Sequence, residues 1–138
     1  MKRFSILLTI ILAAFVFSGC ASEKAKQSDK LRIIFETDVG NDVDDAMALD
    51  MLYKYLDQGK IDLLAVMINK SASAPAEYMD IMNTWYGYPD IPVGVVRNGS
   101  NDVRGLYADH VVAMKKEDGT PMFKRSHSDY DKLPDAHI

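Results

Sequence analysis

Five carboxylates fall within ten residues between Glu36 and Asp45: Glu36, Asp38, Asp42, Asp44 and Asp45, with Gly40 and Asn41 among them. Two such charges about 6 Å apart repel by roughly 2–3 kcal/mol at an effective dielectric near 20. A helix N-terminus offsets only about 0.3–1 kcal/mol per acid, so the cluster needs a bound cation, raised pKa values or splaying into water. An all-oxygen donor set favours a hard cation, Ca²⁺ or Mg²⁺. A plainer reading is also open: Asp42 as a helix N-cap, with Asp45 three residues on as in a capping box, and a solvated acidic turn around them.

The flanking residues say what positions this loop. An apolar, β-branched run (Ile33, Ile34, Phe35) precedes it, and residues 32–38 are predicted to be a strand. Ala46-Met47-Ala48-Leu49 opens a helix predicted over 44–58, with Leu49, Leu52, Tyr53 and Leu56 on one face and Gly59 as its stop. Residues 61–68 (IDLLAVMI) are nearly all apolar, the pattern of a parallel strand buried on both faces. Asn69 to Ser73 is a loop, and Pro75 starts a second helix over 75–86 with Tyr78, Ile81, Met82 and Trp85 as its apolar positions. Ile91 to Val96 is a third strand. The fold class is therefore α/β, a Rossmann-like open parallel sheet in β-α-β-α-β order. Ligand sites of such sheets lie at the carboxyl ends of strands, where the acidic loop sits. Beyond Arg97 the regularity fades: a short helix over 107–116, a turn at 117–121, and no further strand. Three strands would leave long open edges, so a larger protein is expected, with this chain as its N-terminal part.

The first nineteen residues read as a signal peptide: Met1-Lys2-Arg3 is basic, and Ile6 to Phe17 is apolar but too short to span a bilayer. Ser18-Gly19-Cys20 ends it as a bacterial lipoprotein signal would, with Cys20 the lipidation site. Residues 20–30 are a polar tether and 31–138 the folded portion. The expected location is the bacterial cell envelope, with the membrane reached through the lipid at Cys20. Cys20 is the sole cysteine, so no intrachain disulfide forms. Without residues 1–19 the chain keeps 14 of its 16 basic residues against 20 acidic ones, a balance that argues against nucleic acid as a partner. Oligomeric state is left open, a homo-oligomer included.

Asp38-Val39-Gly40 followed by Asp44-Asp45-Ala46-Met47-Ala48-Leu49 resembles the N-terminal signature of the nucleoside hydrolase family of the inosine–uridine preferring type. That signature is an Asp-x-Asp-x-Gly-x-Asp-Asp-Ala pattern after the first strand. Here Glu36 stands at the first acid, and two additional residues precede the Asp pair, so Asp42 competes with Asp44 for one position. The likeness extends through Leu63-Leu64-Ala65-Val66 to Tyr86-Gly87 and Ile91-Pro92-Val93. It implies hydrolysis of the N-glycosidic bond of ribonucleosides by a water held on Ca²⁺. On the matching positions, Asp38 is the implied base and metal ligand, Asp45 the second metal ligand, Asp44 a ribose contact and Asn69 a further substrate contact. The family's later segments carry more of the site, so this chain alone is expected to bind metal weakly and to turn over little.

Two other readings stand beside it. A surface lipoprotein could bind a sugar or nucleoside without cleaving it. Phe35-Glu36-Thr37-Asp38-Val39 also resembles the haloacid dehalogenase phosphatase motif, but Glu36 is a methylene longer than the Asp nucleophile that motif requires. His110, His127 and His137 are expected to be surface imidazoles. Trp85, Tyr86 and Tyr88 are expected to pack in the core rather than to form a base-stacking wall.

Overall fold

The computed structural model describes residues 30–97, 106–127 and 130–135. The expected signal segment (residues 1–19), residues 20–29 of the expected tether with Cys20, and His137 lie outside those residues. Among the described residues no helix is long and apolar enough to cross a membrane.

The chain forms β1 (Leu31–Thr37), α1 (Asp44–Asp57), β2 (Ile61–Ile68), α2 (Ser73–Trp85), β3 (Val93–Val95) and α3 (Leu106–Ala113). A 3₁₀ turn follows at Tyr130–Lys132. The three strands make a parallel sheet in the order β1-β2-β3, so the protein is an α/β open sheet with interleaved helices.

α1 starts where Asp44 and Asp45 meet its positive end and stops at Gly59, whose φ of 66° lets the Lys60 amide turn back onto the Tyr55 carbonyl. Leu49 and Tyr53 of its apolar face are fully buried, with Leu52 and Leu56 packed beside them. Burying each of the first two contributes about 1.5–3 kcal/mol.

β2 departs from its expected burial. Ile61, Leu63, Val66 and Ile68 are buried, whereas Leu64 is exposed. The register against β1 shifts between Ile33 and Ile34, which pair with Leu63 and Ala65 and leave Leu64 as an extra residue. That bulge resets the alternation, so the residues on either side of it face the same core. Right-handed crossovers in a 1-2-3 order put both helices on one side of the sheet. Among the described residues the helices cover one face of the sheet, and the apolar run is accordingly half buried.

α2 is enclosed on more sides than its apolar periodicity suggests. Met79 and Asn83 are fully buried, while Trp85 is 73% exposed rather than in the core. Asn83 accepts a 2.6 Å hydrogen bond from the Tyr53 hydroxyl and donates to the Ile91 carbonyl at 3.2 Å. Tyr53 stacks on Tyr86 and Tyr88, with ring centroids 4.3 and 5.9 Å away. Burial drives the Tyr53 phenol far above its ordinary pKa.

The last described segment returns to the sheet. The Val95 amide donates to the Pro134 carbonyl at 3.0 Å, and Val95 forms a parallel bridge with Asp135. Arg97 holds this return by donating to the carbonyls of Tyr130, Asp131 and Leu133 at 3.2, 3.1 and 2.7 Å. The edge of β3 is therefore partly paired, where the sequence pattern alone shows no further strand.

Candidate functional site

The acidic loop is built on the end of β1. Thr37 is buried, and its hydroxyl accepts from the Val39 amide at 3.0 Å, turning the chain as the strand stops. Val39 is fully buried and anchors the loop in the core, so the exposed Asp38 beside it stands at the strand tip. Gly40, at φ 125°, makes a bend that an L side chain would strain. Its carbonyl accepts from the Tyr107 amide at 3.0 Å, which ties the loop to the start of α3.

The helix N-cap is Val43, with no side-chain capping bond. Asp42 therefore does not cap α1; it is exposed, and the Asp42–Asp45 capping box does not form. The first helical turn instead presents Asp44 and Asp45, and Asp44 Oδ1 accepts from the Asp45 amide at 3.0 Å.

Asp45 shows how these groups share space. Burial raises its pKa first; a hydrogen bond from Thr37 pulls it down, and Asp38 and Asp44 push it up again. Asp38 acts on Asp45 both as a charge and as a hydrogen-bonding neighbour. The structure thus places Asp38 and Asp44 close enough to act on the charge of Asp45 at the carboxyl end of β1, and Asp42 takes no part in that shift. Asn69 is adjacent, its amide donating to the Thr37 carbonyl at 3.0 Å. Among the described residues, no three His, Cys, Asp or Glu side chains converge closely enough to form an ion-holding group.

Two residues near the loop carry no signal in the sequence. Lys70 follows Asn69 and is buried, with Nζ 3.5 Å from the Val39 carbonyl. It brings a positive charge under the acidic turn, and only the parallel pairing of β1 with β2 places it there. Tyr107 is the other. Its phenol is pushed up to about 12 by burial first, then by Tyr78, Asp45 and Asp44, with the Gly40 backbone acting in the opposite direction. Its hydroxyl is closed off from solvent and has no well-formed hydrogen bond among the described residues.

A second polar cluster lies on α2. Asp80 is fully buried and receives Ser126, His127 and Tyr130: the Ser126 and His127 amides at 3.2 and 2.9 Å, the Ser126 hydroxyl, His127 Nδ1 at 3.1 Å and the Tyr130 hydroxyl at 3.2 Å. Burial pushes its carboxyl up, but the bonds from Ser126 and His127 outweigh it and leave the pKa below the ordinary value. Arg125 pairs with Glu77 alongside. His127 is therefore not a free surface imidazole as expected; the acceptor that holds it is 47 residues away in sequence. His110 is exposed, as expected.

Tyr86 and Tyr88 lie at the other end of the sheet from the loop, because α2 runs from the carboxyl end of β2 back to the start of β3. Their hydroxyls donate to Asp50 and Asp57 of α1. They brace two helices there and do not wall the acidic loop.

Comparison of the chain with family models, with curated proteins and with solved structures finds no match.

Proposed function

We propose that the loop at the end of β1 binds a divalent cation and the ribose of a nucleoside, and that the chain belongs to an N-glycosidase of the nucleoside hydrolase type. The observation that supports this most is the gathering of Asp38, Asp44 and Asp45 at one strand tip, with Asp45 raised by burial and by its two neighbours. Carboxylates that repel one another at a ligand-facing edge gain most from a cation. Bound Ca²⁺ would polarise the attacking water and hold ribose hydroxyls. Asp38, at the strand tip, would accept the proton from that water, a role worth about 10²–10⁴ in rate for a well-placed base. Asp44 would accept a hydrogen bond from a ribose hydroxyl, and Asn69 would contact the sugar from the neighbouring strand. The negative field of the loop would stabilise the positive charge that grows on the sugar as the N-glycosidic bond breaks.

Titration calorimetry of the full chain with Ca²⁺ tests the metal site. Binding that weakens at least tenfold in Asp38→Asn and in Asp45→Asn supports it; binding unchanged in both, or none in the wild type, overturns it. Release of free base from inosine, lost in the same variants, tests the reaction.

A second reading is favoured by the ligand count. Asp38 and Asp45 together offer at most four of the six to eight oxygens that Ca²⁺ takes. A site so open suits a lipoprotein that binds a sugar or nucleoside without cleaving it. Ribose binding with no free base released distinguishes this reading. The phosphatase reading would require turnover of p-nitrophenyl phosphate with Mg²⁺.

A further inference from the structure

Away from the acidic loop, the outer side of α2 carries a cavity of about 310 Å³ whose lining includes Ile81, Trp85, Met122 and Phe123. A second hollow of about 240 Å³ adjoins it and shares Ile81, Trp85 and Phe123. Trp85 and Phe123 meet edge to face, with centroids 6.2 Å apart and planes at 77°. That contact uses little of the indole, which is 73% exposed. A large aromatic surface left in water on an ordered helix is available for stacking.

The polar part of the lining is cationic. Lys116 and Lys124 both border the larger cavity. Neither ammonium makes an ion pair or a side-chain hydrogen bond among the described residues. The nearby Asp118 is engaged by the Thr120 amide and hydroxyl instead, at 2.9 and 2.6 Å. Thr84 also borders the cavity, with its hydroxyl closed off from solvent and without a hydrogen-bond partner among the described residues. Two unpaired ammoniums beside an aromatic floor are unusual on a chain with an excess of acidic residues, and together they specify a ligand: a flat apolar body with one negative end.

We infer that this cavity is a binding site for a small aromatic carboxylate, its ring stacked on Trp85 and against Phe123 and its carboxylate set between Lys116 and Lys124. A cavity of this volume is at the lower end of those that enclose small organic ligands, and it fits a one- or two-ring acid. Charge-assisted bonds to the lysines hold the anionic end, and the ring surface supplies the apolar burial.

Trp85 is the sole tryptophan of the chain, so its fluorescence reports directly on the site. The full chain is titrated with 2-naphthoate and, separately, with the neutral 2-naphthalenemethanol. Saturable quenching by the acid, at least tenfold tighter than by the alcohol and independent of protein concentration, is expected. In Lys116→Ala/Lys124→Ala the two ligands should come within threefold of each other. Both lysines are exposed, so the thermal midpoint of that variant should match the wild type. Equal affinity for acid and alcohol in the wild type, absence of saturable quenching, or an acid preference that survives loss of both lysines would each overturn the site. Quenching that instead follows protein concentration would mean that a second copy of the chain covers Trp85, and would overturn it as well.

Discussion

The protein contains two concentrations of carboxylate chemistry, and they are built in opposite ways. At the tip of β1, Asp38, Asp44 and Asp45 lie beside one another, and folding raises the pKa of Asp45. On α2, Asp80 is alone, fully buried and surrounded by donors, and folding lowers its pKa despite the burial. The difference is one of supply. Asp80 receives hydrogen bonds from Ser126, His127 and Tyr130, so its charge is solvated by the protein. In the acidic loop Asp45 receives a bond from Thr37, which burial and the charges of Asp38 and Asp44 outweigh. Folding therefore satisfies the charge of Asp80 on α2 and leaves Asp45 at the strand tip under net repulsion from two neighbours. Under the proposed reading of the loop, a bound cation would relieve that repulsion.

The contrast can be broken first at Asp80. Asp80→Ala removes the acceptor of two backbone amides and three side-chain groups, and should lower stability by about 3 kcal/mol, read as a fall in the urea midpoint. Removing one donor is milder: His127→Ala should cost about 1 kcal/mol, because Asp80 keeps Ser126 and Tyr130. In the loop the sign reverses. Asp45→Asn relieves repulsion from Asp38 and Asp44 and should leave stability unchanged or raise it by about 0.5 kcal/mol without added metal. A loss as large as that of Asp80→Ala would show that the loop acids are structural and would remove the contrast.

The dependence on pH sharpens the same comparison. Asp80 is held below the ordinary 3.8, so its contribution is fully present above that pH and is lost as pH falls through its lower folded value. Asp45 is held above 3.8, so the folded chain keeps its proton more tightly than the unfolded chain does. Its contribution is greatest below pH 3.8 and is lost as pH rises through the raised value. The urea midpoint of Asp45→Asn minus wild type should therefore grow as pH rises across that window. The matching difference for Asp80→Asn is negative above pH 3.8 and should rise toward zero as pH falls below it, so the two differences move in opposite directions with pH. If both differences move the same way with pH, the two acids do not differ as described.

Much of the fold was readable in the residues. The apolar run ending at Thr37, the Leu49/Tyr53 face and the Gly59 stop are local patterns with local causes, and β2 occupies Ile61–Ile68 as its composition predicts. Trp85 was misread, because periodicity marks which residues are apolar but not how far the covering layer extends. His127 was misread for the complementary reason: nothing near it in sequence shows that it meets a buried carboxylate.

What the sequence determined by itself was the order of strands and helices and the crowding of acids between the first of each, since both follow from short-range propensity and spacing. Only the tertiary structure decided which charges are satisfied. It put Lys70 beneath the loop, brought Ser126, His127 and Tyr130 to Asp80, and turned the bulge at Leu64 so that β2 buries one face. Those outcomes depend on contacts between segments far apart in the chain, and the free energy of a buried charge is fixed by whichever donors the fold brings to it.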